Sequence, residues 1–138
     1  MLLKQISVFL ENRAGRLPGI IKKLGGAGID ILAISLADTS DFGILRLLVN
    51  DVTRAEQILH DAGIVCRVND VTVVAVNGVP GGLAQVMDIV EQAGVNIEYM
   101  YAIAQTKLPD PLMVFRFSER ERAREVLRNA GVRIYDEL

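Results

Sequence analysis

Two short glycine-containing segments offer the clearest candidates for binding chemistry in this sequence. The first, ENRAGRL, runs from Glu11 to Leu17, and the second, NGVPGGL, runs from Asn77 to Leu83. Each lies between an apolar, strand-like stretch and an amphipathic, helix-like one. The first turn of a helix presents unpaired backbone N–H groups and the positive end of the helix dipole, so it attracts a carboxylate. A glycine there leaves room for close approach and permits a positive φ.

Other side chains could complete such a site for a free amino acid. Asn12, Asp30 and Asn96 could accept hydrogen bonds from the ammonium group, and Arg13 and Arg16 could hold an anion, although most surface arginines are simply solvated. The alternative interpretation is that the glycines only form a turn. The predicted ligand-binding residues are Asn12, Arg13, Ala14, Gly15, Arg16, Leu17, Asp30, Ile31, Asn77, Val79, Pro80, Gly81, Gly82, Leu83, Asn96, Ile97 and Tyr99.

The two segments belong to an internal duplication. At a shift of 66 residues the first halves of two units superimpose, so that Gly15 aligns with Gly81 and GIDI (28–31) aligns with GVNI (94–97). The second halves match at a shift of 68, and the two extra residues lie in the proline-containing segment QTKLPDP, 105–111. The repeated apolar register and the repeated glycines indicate a tandem duplication.

Hydrophobic periodicity predicts the element order β-α-β-β-α-β in each unit. The fold class is therefore α+β: two ferredoxin-like units in tandem, residues 1–69 and 70–138, each an antiparallel sheet with both helices on one face. The predicted elements of the first unit are strands at 3–10, 29–37, 43–50 and 64–69, a helix from Leu17 to the glycines at 25–28, and a helix from Asp51 to Gly63. Those of the second are strands near 71–77, 95–104, 112–118 and 132–137, with helices near 82–93 and 119–130. Ser118 and Glu121 suggest a capping box, and the DTSDF segment (38–42) predicts a turn.

Composition excludes several classes of protein. The chain has 138 residues, 51% hydrophobic and 23% charged, which is typical of a globular protein. Its net charge of −2 argues against a nucleic-acid binder. The single Cys66 and single His60 offer no disulfide, metal site or catalytic set, so neither metal nor cofactor is expected. No signal-peptide pattern opens the chain, and no apolar run is long enough to span a membrane, so a cytoplasmic protein is expected.

The repeated motifs resemble those of the ACT domain. That family has a strand, then Asn/Asp-x-Pro-Gly-x-Leu opening a helix, then Gly-Ile-Asn-Ile opening the next strand, and the resemblance covers nearly the whole chain. Ala14 replaces the family proline in the first unit, and Gly78 replaces the Asn/Asp in the second. The resemblance implies a non-catalytic regulatory protein that binds an amino acid or similar ligand at the junction of two domains and controls a partner enzyme. Because Asn12 keeps its family position, the first loop is expected to be the stronger site.

Three other functions are compatible with this order of strands and helices to different degrees. An interaction or oligomerisation module without a ligand remains open. An acylphosphatase-like enzyme is a minor alternative, since ENRAGRL fits an Arg-containing phosphate loop but the Gln-Gly-Val of that family is missing. An RNA-binding version of the fold needs exposed aromatic residues on its central strands, and the corresponding positions carry Ser7, Ile44, Arg46 and Leu48.

The strands are apolar on both faces, which predicts that both faces are covered. Ile44, Leu48, Leu112 and Val114 are expected to form a bare apolar face, and a second copy of the chain is the expected cover. The sequence therefore predicts a homodimer.

Overall fold

A computed structural model describes residues 3–38 and 41–138 of the chain. Within these ranges it has seven strands and four helices. In chain order they are β1 (Leu3–Glu11), α1 (Arg16–Gly26), β2 (Ile31–Asp38), β3 (Phe42–Val49), α2 (Val52–Asp61), β4 (Cys66–Ala75), α3 (Gly82–Gln92), β5 (Ile97–Ala102), β6 (Leu112–Phe117), α4 (Arg120–Asn129) and β7 (Ile134–Tyr135). The predicted DTSDF turn includes Thr39 and Ser40, which lie outside the described residues.

The described residues divide into two compact units, Lys4–Asn69 and Asp70–Leu138, and Leu3 is grouped with the second. In the first, the strand order is β2-β3-β1-β4, and residues 66–69 of β4 form the last strand. β1 and β2 both pair antiparallel with β3. Alternate strand residues and one stripe of each helix form a single core, as the periodicity predicts. Its buried members are Ile6, Val8, Leu10, Ile20, Leu24, Ile29, Leu45, Leu47, Val49, Ala55 and Leu59.

The second unit repeats this arrangement. β6 pairs antiparallel with β5 on one side and with residues 72–75 of β4 on the other, and β7 pairs with β4. Its buried core is made of Val74, Val76, Val86, Val90, Val95, Phe115, Phe117, Ala123 and Leu127. The predicted fold class, two βαββαβ units with helices on one face of each antiparallel sheet, is confirmed.

Several predicted boundaries differ from the observed ones. The predicted strands 64–69 and 71–77 are one continuous strand, β4: no glycine or proline interrupts 66–75, and Asn69 and Asp70 stay extended. The last strand, predicted at 132–137, is only Ile134–Tyr135. The capping box is wrong: Glu119 is the N-cap residue of α4, and no side chain caps that helix. The Ser118 hydroxyl instead accepts a hydrogen bond from the backbone N–H of Asn96, at 3.0 Å.

The predicted bare apolar face is also wrong. Leu48, Leu112 and Val114 are buried, at 1%, 2% and 0% exposed, and Ile44 is half-buried. Their burial in a single chain removes the reason for expecting a second copy to cover them. The homodimer itself stays a prediction.

Candidate functional site

The two glycine loops have nearly the same backbone geometry. Gly15 is the N-cap residue of α1 with φ 88° and ψ −17°, and Gly81 is the N-cap residue of α3 with φ 88° and ψ −5°. Both residues have left-handed backbone conformations, which residues other than glycine rarely adopt. No heavy atom of the described residues outside the adjoining chain lies within 4 Å of a Cβ built at either position. Each loop therefore leaves open space beside the start of its helix.

The first loop leaves one helix donor without a partner. Among the described residues, no side chain caps α1. The N–H of Arg16 donates to the Arg13 carbonyl at 3.3 Å, and that of Gly19 donates to the Gly15 carbonyl at 3.1 Å. Pro18 has no N–H, so the N–H of Leu17 is the one first-turn donor with no acceptor in the described part of the chain.

The second loop leaves two helix donors without partners. The N–H of Gly82 donates to the Val79 carbonyl at 3.0 Å, and that of Gln85 donates to the Gly81 carbonyl at 3.1 Å. Between them, the N–H groups of Leu83 and Ala84 have no acceptor within residues 3–38 and 41–138. Ala84 corresponds to Pro18 at the shift of 66, so the two copies differ by one donor.

Gly82 is required by a close approach of the backbone. A Cβ at this position would collide with the Asn77 carbonyl oxygen. The same helix position in the first copy is Arg16, whose side chain is accommodated. The second loop is thus more tightly folded back on its helix than the first.

The two arginines of the first loop face an acidic neighbour. Arg13 Nε lies 3.3 Å from Glu11 Oε2, and Arg16 Nη2 lies 3.2 Å from Glu11 Oε1. All three side chains are about half exposed or more, so water screens these pairs. In the second copy the corresponding positions are Val79, Gly82 and Asn77, which carry no charge.

Asp30 and Ile31 lie at the opposite end of the same unit from the Gly15 loop. Glu11, at the end of β1, pairs with Phe42, whereas Ile31, at the start of β2, pairs with Val49. Seven strand steps separate Phe42 from Val49, which is about 23 Å. A free amino acid carries its carboxylate and ammonium groups on one carbon atom, so no such ligand can contact Gly15 and Asp30 of one unit together. Asn96, Ile97 and the Gly81 loop are separated in the same way.

Sequence reasoning missed a pair of hydrogen bonds that holds Asp30 in the first copy and Asn96 in the second. The N–H of Asp30 donates to Asn50 Oδ1 at 2.9 Å, and the N–H of Asn50 donates to the Asp30 carbonyl at 3.1 Å. In the second copy, the N–H of Ser118 donates to the Asn96 carbonyl at 2.9 Å and completes the pair made by the Ser118 hydroxyl. Asn50 and Ser118 match at the shift of 68, but their different residue types concealed the equivalence.

The surroundings of the remaining candidates, Tyr99, His60 and Cys66, do not indicate a binding or catalytic site. Tyr99 is half-buried and follows a register shift in β5. His60 is 83% exposed, as its place on α2 predicts. Burial, assisted by Glu56, raises the pKa of the Cys66 thiol. A raised pKa disfavours the nucleophilic thiolate.

Comparison with known proteins identifies the family. A family model described as an ACT domain pair matches residues 1–137. The chain belongs to the ACT-domain family. A crystal structure of a Bacteroides thetaiotaomicron protein is similar at 36% identity and a TM-score of 0.90, over 98% of this ACT chain and 92% of the other. No curated protein matches the chain.

More distant solved structures share the fold of this ACT pair. The ligand-free regulatory subunit of aspartate kinase from Thermus thermophilus is 18% identical with a TM-score of 0.66, over 94% of this chain and 91% of that one. The corresponding subunit from Thermus flavus is 18% identical with a TM-score of 0.62, over 95% and 94%. ACT domains are regulatory, amino-acid-binding modules, and the expected family is confirmed. None of the described helices is long and apolar enough to cross a membrane.

Proposed function

We propose that this ACT pair is a non-catalytic regulatory protein that binds the carboxylate of a free amino acid at its glycine loops and thereby controls a partner enzyme in the cytoplasm. The observation that supports it best is the repeated helix start: a left-handed glycine, open space beside it and first-turn N–H donors without acceptors. A helix N-terminus of this kind binds anions through its N–H groups and its dipole. Membership of the ACT family supports an amino acid as the ligand class.

The loop before α3 is the stronger of the two sites in this proposal. It presents the N–H groups of Leu83 and Ala84, whereas the loop before α1 presents only that of Leu17. This order is the reverse of the one expected from Asn12.

A thermal-shift screen against the twenty amino acids tests the proposal, because a ligand that binds only the native state raises its melting temperature. Titration calorimetry with the best ligand then gives the affinity. Gly81→Ala should weaken binding at least tenfold, since a methyl group would enter the open space beside the donors.

Gly131→Ala is the matched control for backbone strain. Gly131 also has a positive φ, 81°, with no heavy atom within 4 Å of its Cβ position, but it follows α4 instead of preceding a helix. This variant should lose similar stability and keep full affinity. If no amino acid shifts the melting temperature, the interaction-module interpretation replaces the sensor.

We also propose a homodimer. Ile34 and Leu36, on the edge strand β2, are 44% and 49% exposed, and Phe42 on the adjacent β3 is 59% exposed. Light scattering at low micromolar concentration should give twice the chain mass, and Leu36→Lys should lower it toward that of one chain. A clean monomer in the unmodified protein would contradict the dimer and leave these side chains as a contact for the partner enzyme.

A further inference from the structure

We propose that a cavity at the start of α4 is a second binding site, specific for a small oxyanion and separate from the glycine loops. The cavity has a volume of 420 Å³. It is lined by the end of β6, the first turn of α4, and the side chains of Asp70 and Thr72 from β4. All of these residues belong to the unit Asp70–Leu138.

Thr72 is the observation that points to a ligand. The residue is 1% exposed, and its hydroxyl has no hydrogen-bond partner among the described residues. A buried hydroxyl left without a partner is costly, and native structures usually satisfy such groups. Thr72 lines the cavity, and rotation of its side chain about the Cα–Cβ bond would turn the hydroxyl toward a bound oxygen atom that accepts its proton.

The first turn of α4 supplies further donors. The N–H of Ala123 donates to the Glu119 carbonyl at 3.0 Å, but the N–H groups of Arg120, Glu121 and Arg122 have no acceptor in the described part of the chain. The side chain of the N-cap residue, Glu119, accepts no hydrogen bond from them. α2 differs at this point, since its N-cap residue Asp51 accepts a hydrogen bond from the N–H of Arg54, at 3.1 Å.

Three arginines and three carboxylates line the cavity, and one guanidinium group is oriented by its neighbours; the lining charges are Arg116, Arg120, Arg122, Asp70, Glu119 and Glu121. Arg120 Nη1 donates to Asp70 Oδ2 at 3.2 Å, and Arg120 Nε donates to Glu121 Oε1 at 3.4 Å. These two bonds leave Nη2 without a partner among the described residues. The Glu121 side chain is 77% exposed, so water screens its carboxylate. Backbone N–H groups, a hydroxyl and a guanidinium together are the donor set that binds phosphate and carboxylate oxygens.

The first copy lacks this donor set. The positions equivalent to Thr72 and Arg120 are Ile6 and Val52, both apolar, and the position equivalent to Glu119 is the capping Asp51. Three changes at one place therefore convert a closed, capped helix start into an open, polar one. The site is expected in the second unit alone.

Titration of the full chain with inorganic phosphate at constant ionic strength tests the inference, with the backbone amide resonances of Glu121 and Arg122 as the readout. Both resonances should shift in a saturable manner, and sodium chloride should not reproduce the shift. A parallel titration with acetate distinguishes a site for phosphate groups from one for carboxylates: the tighter of the two anions identifies the natural headgroup.

Two variants and a control decide the outcome. Glu119→Asp places a shorter carboxylate where Asp51 caps α2, so it should occupy the donors internally and weaken phosphate binding at least tenfold. Thr72→Val keeps the shape of the side chain, removes the hydroxyl, and should weaken binding by a similar factor. Ile6→Val, at the equivalent position of the first copy, should leave the affinity unchanged. Loss in both test variants supports the site; full affinity in either, or no saturable shift in the unmodified protein, overturns it.

Discussion

Ala84→Pro tests directly whether the backbone N–H groups at the second glycine loop bind the ligand. The substitution removes the backbone N–H of Ala84, one of the two first-turn donors of α3 that have no acceptor within the described residues. It should not disturb the fold, because the first copy already carries Leu17–Pro18 at the equivalent helix positions. The residue before a proline usually avoids helical angles, and Leu17 shows that this backbone accommodates it.

The magnitude follows from the bond that is lost. A hydrogen bond to a charged group contributes about 1.5 to 3 kcal/mol, and each 1.4 kcal/mol changes a dissociation constant tenfold. Ala84→Pro should therefore weaken binding of an amino acid at this loop by roughly 10- to 150-fold. The stability of the unliganded protein should stay the same or rise by up to about 1 kcal/mol, since no internal hydrogen bond is broken and proline restricts the unfolded chain.

Titration calorimetry measures the affinity, and thermal unfolding without ligand measures the stability. Ala84→Ser keeps the N–H and should bind as the unmodified chain does. Pro18→Ala adds a donor to the first loop and should strengthen that site by a comparable factor. An Ala84→Pro variant that is stable and binds with unchanged affinity would refute the proposed role of this N–H and the predicted order of the two sites.

Three further predictions concern stability and reactivity. Gly82→Ala should lower the free energy of unfolding by about 3 kcal/mol, the upper range for overpacking. Arg16→Ala, at the equivalent position, should change it by less than about 0.5 kcal/mol. Equal effects of the two substitutions would contradict the close approach at Gly82. Asp136→Asn should lower the free energy of unfolding by about 2 kcal/mol, because it leaves the buried Arg124 guanidinium, 2.7 Å from the carboxylate, without its charged partner. Arg124→Met should lower it by less. Urea unfolding measures both changes. Cys66 should react with iodoacetamide more slowly than free cysteine at pH 8, and the midpoint of its rate–pH profile should lie above that of the free thiol, because burial raises its pKa; an equal or faster rate would contradict that shift.

The fold could be predicted from the sequence because duplication displayed each pattern twice. Gly15 and Gly81, at the same distance after a strand and before an amphipathic stretch, are a stronger signal than either alone. Hydrophobic periodicity reports burial, and it located all four helices to within three residues at each end. It could not show that 66–75 is one strand, since alternation is the same in one long strand and in two short ones.

The site was harder to predict because donors and distances are three-dimensional. The motif pointed to the glycines, but only the backbone shows that Pro18 removes a donor and that Ala84 keeps one. Asp30 and the Gly15 loop both fit amino-acid chemistry, but the pairing of β1 and β2 with β3 places them at opposite ends of the sheet, about 23 Å along the strand. Buried and unpartnered Thr72 has no signature in the sequence, since a threonine in an apolar strand is unremarkable.

The pairing of Asn50 with Asp30 and of Ser118 with Asn96 has a consequence for how such chains can diverge. The structure requires a short side chain with an oxygen acceptor, placed to receive the N–H that opens the second strand of each unit. Asparagine and serine meet that requirement equally, and aspartate and threonine have the same chemistry. Substitution among these four should be nearly neutral, whereas alanine or lysine should be selected against. In related chains, these two positions should therefore vary in identity while keeping an acceptor, and a constraint of this kind is visible only when residues are compared by the bond they make.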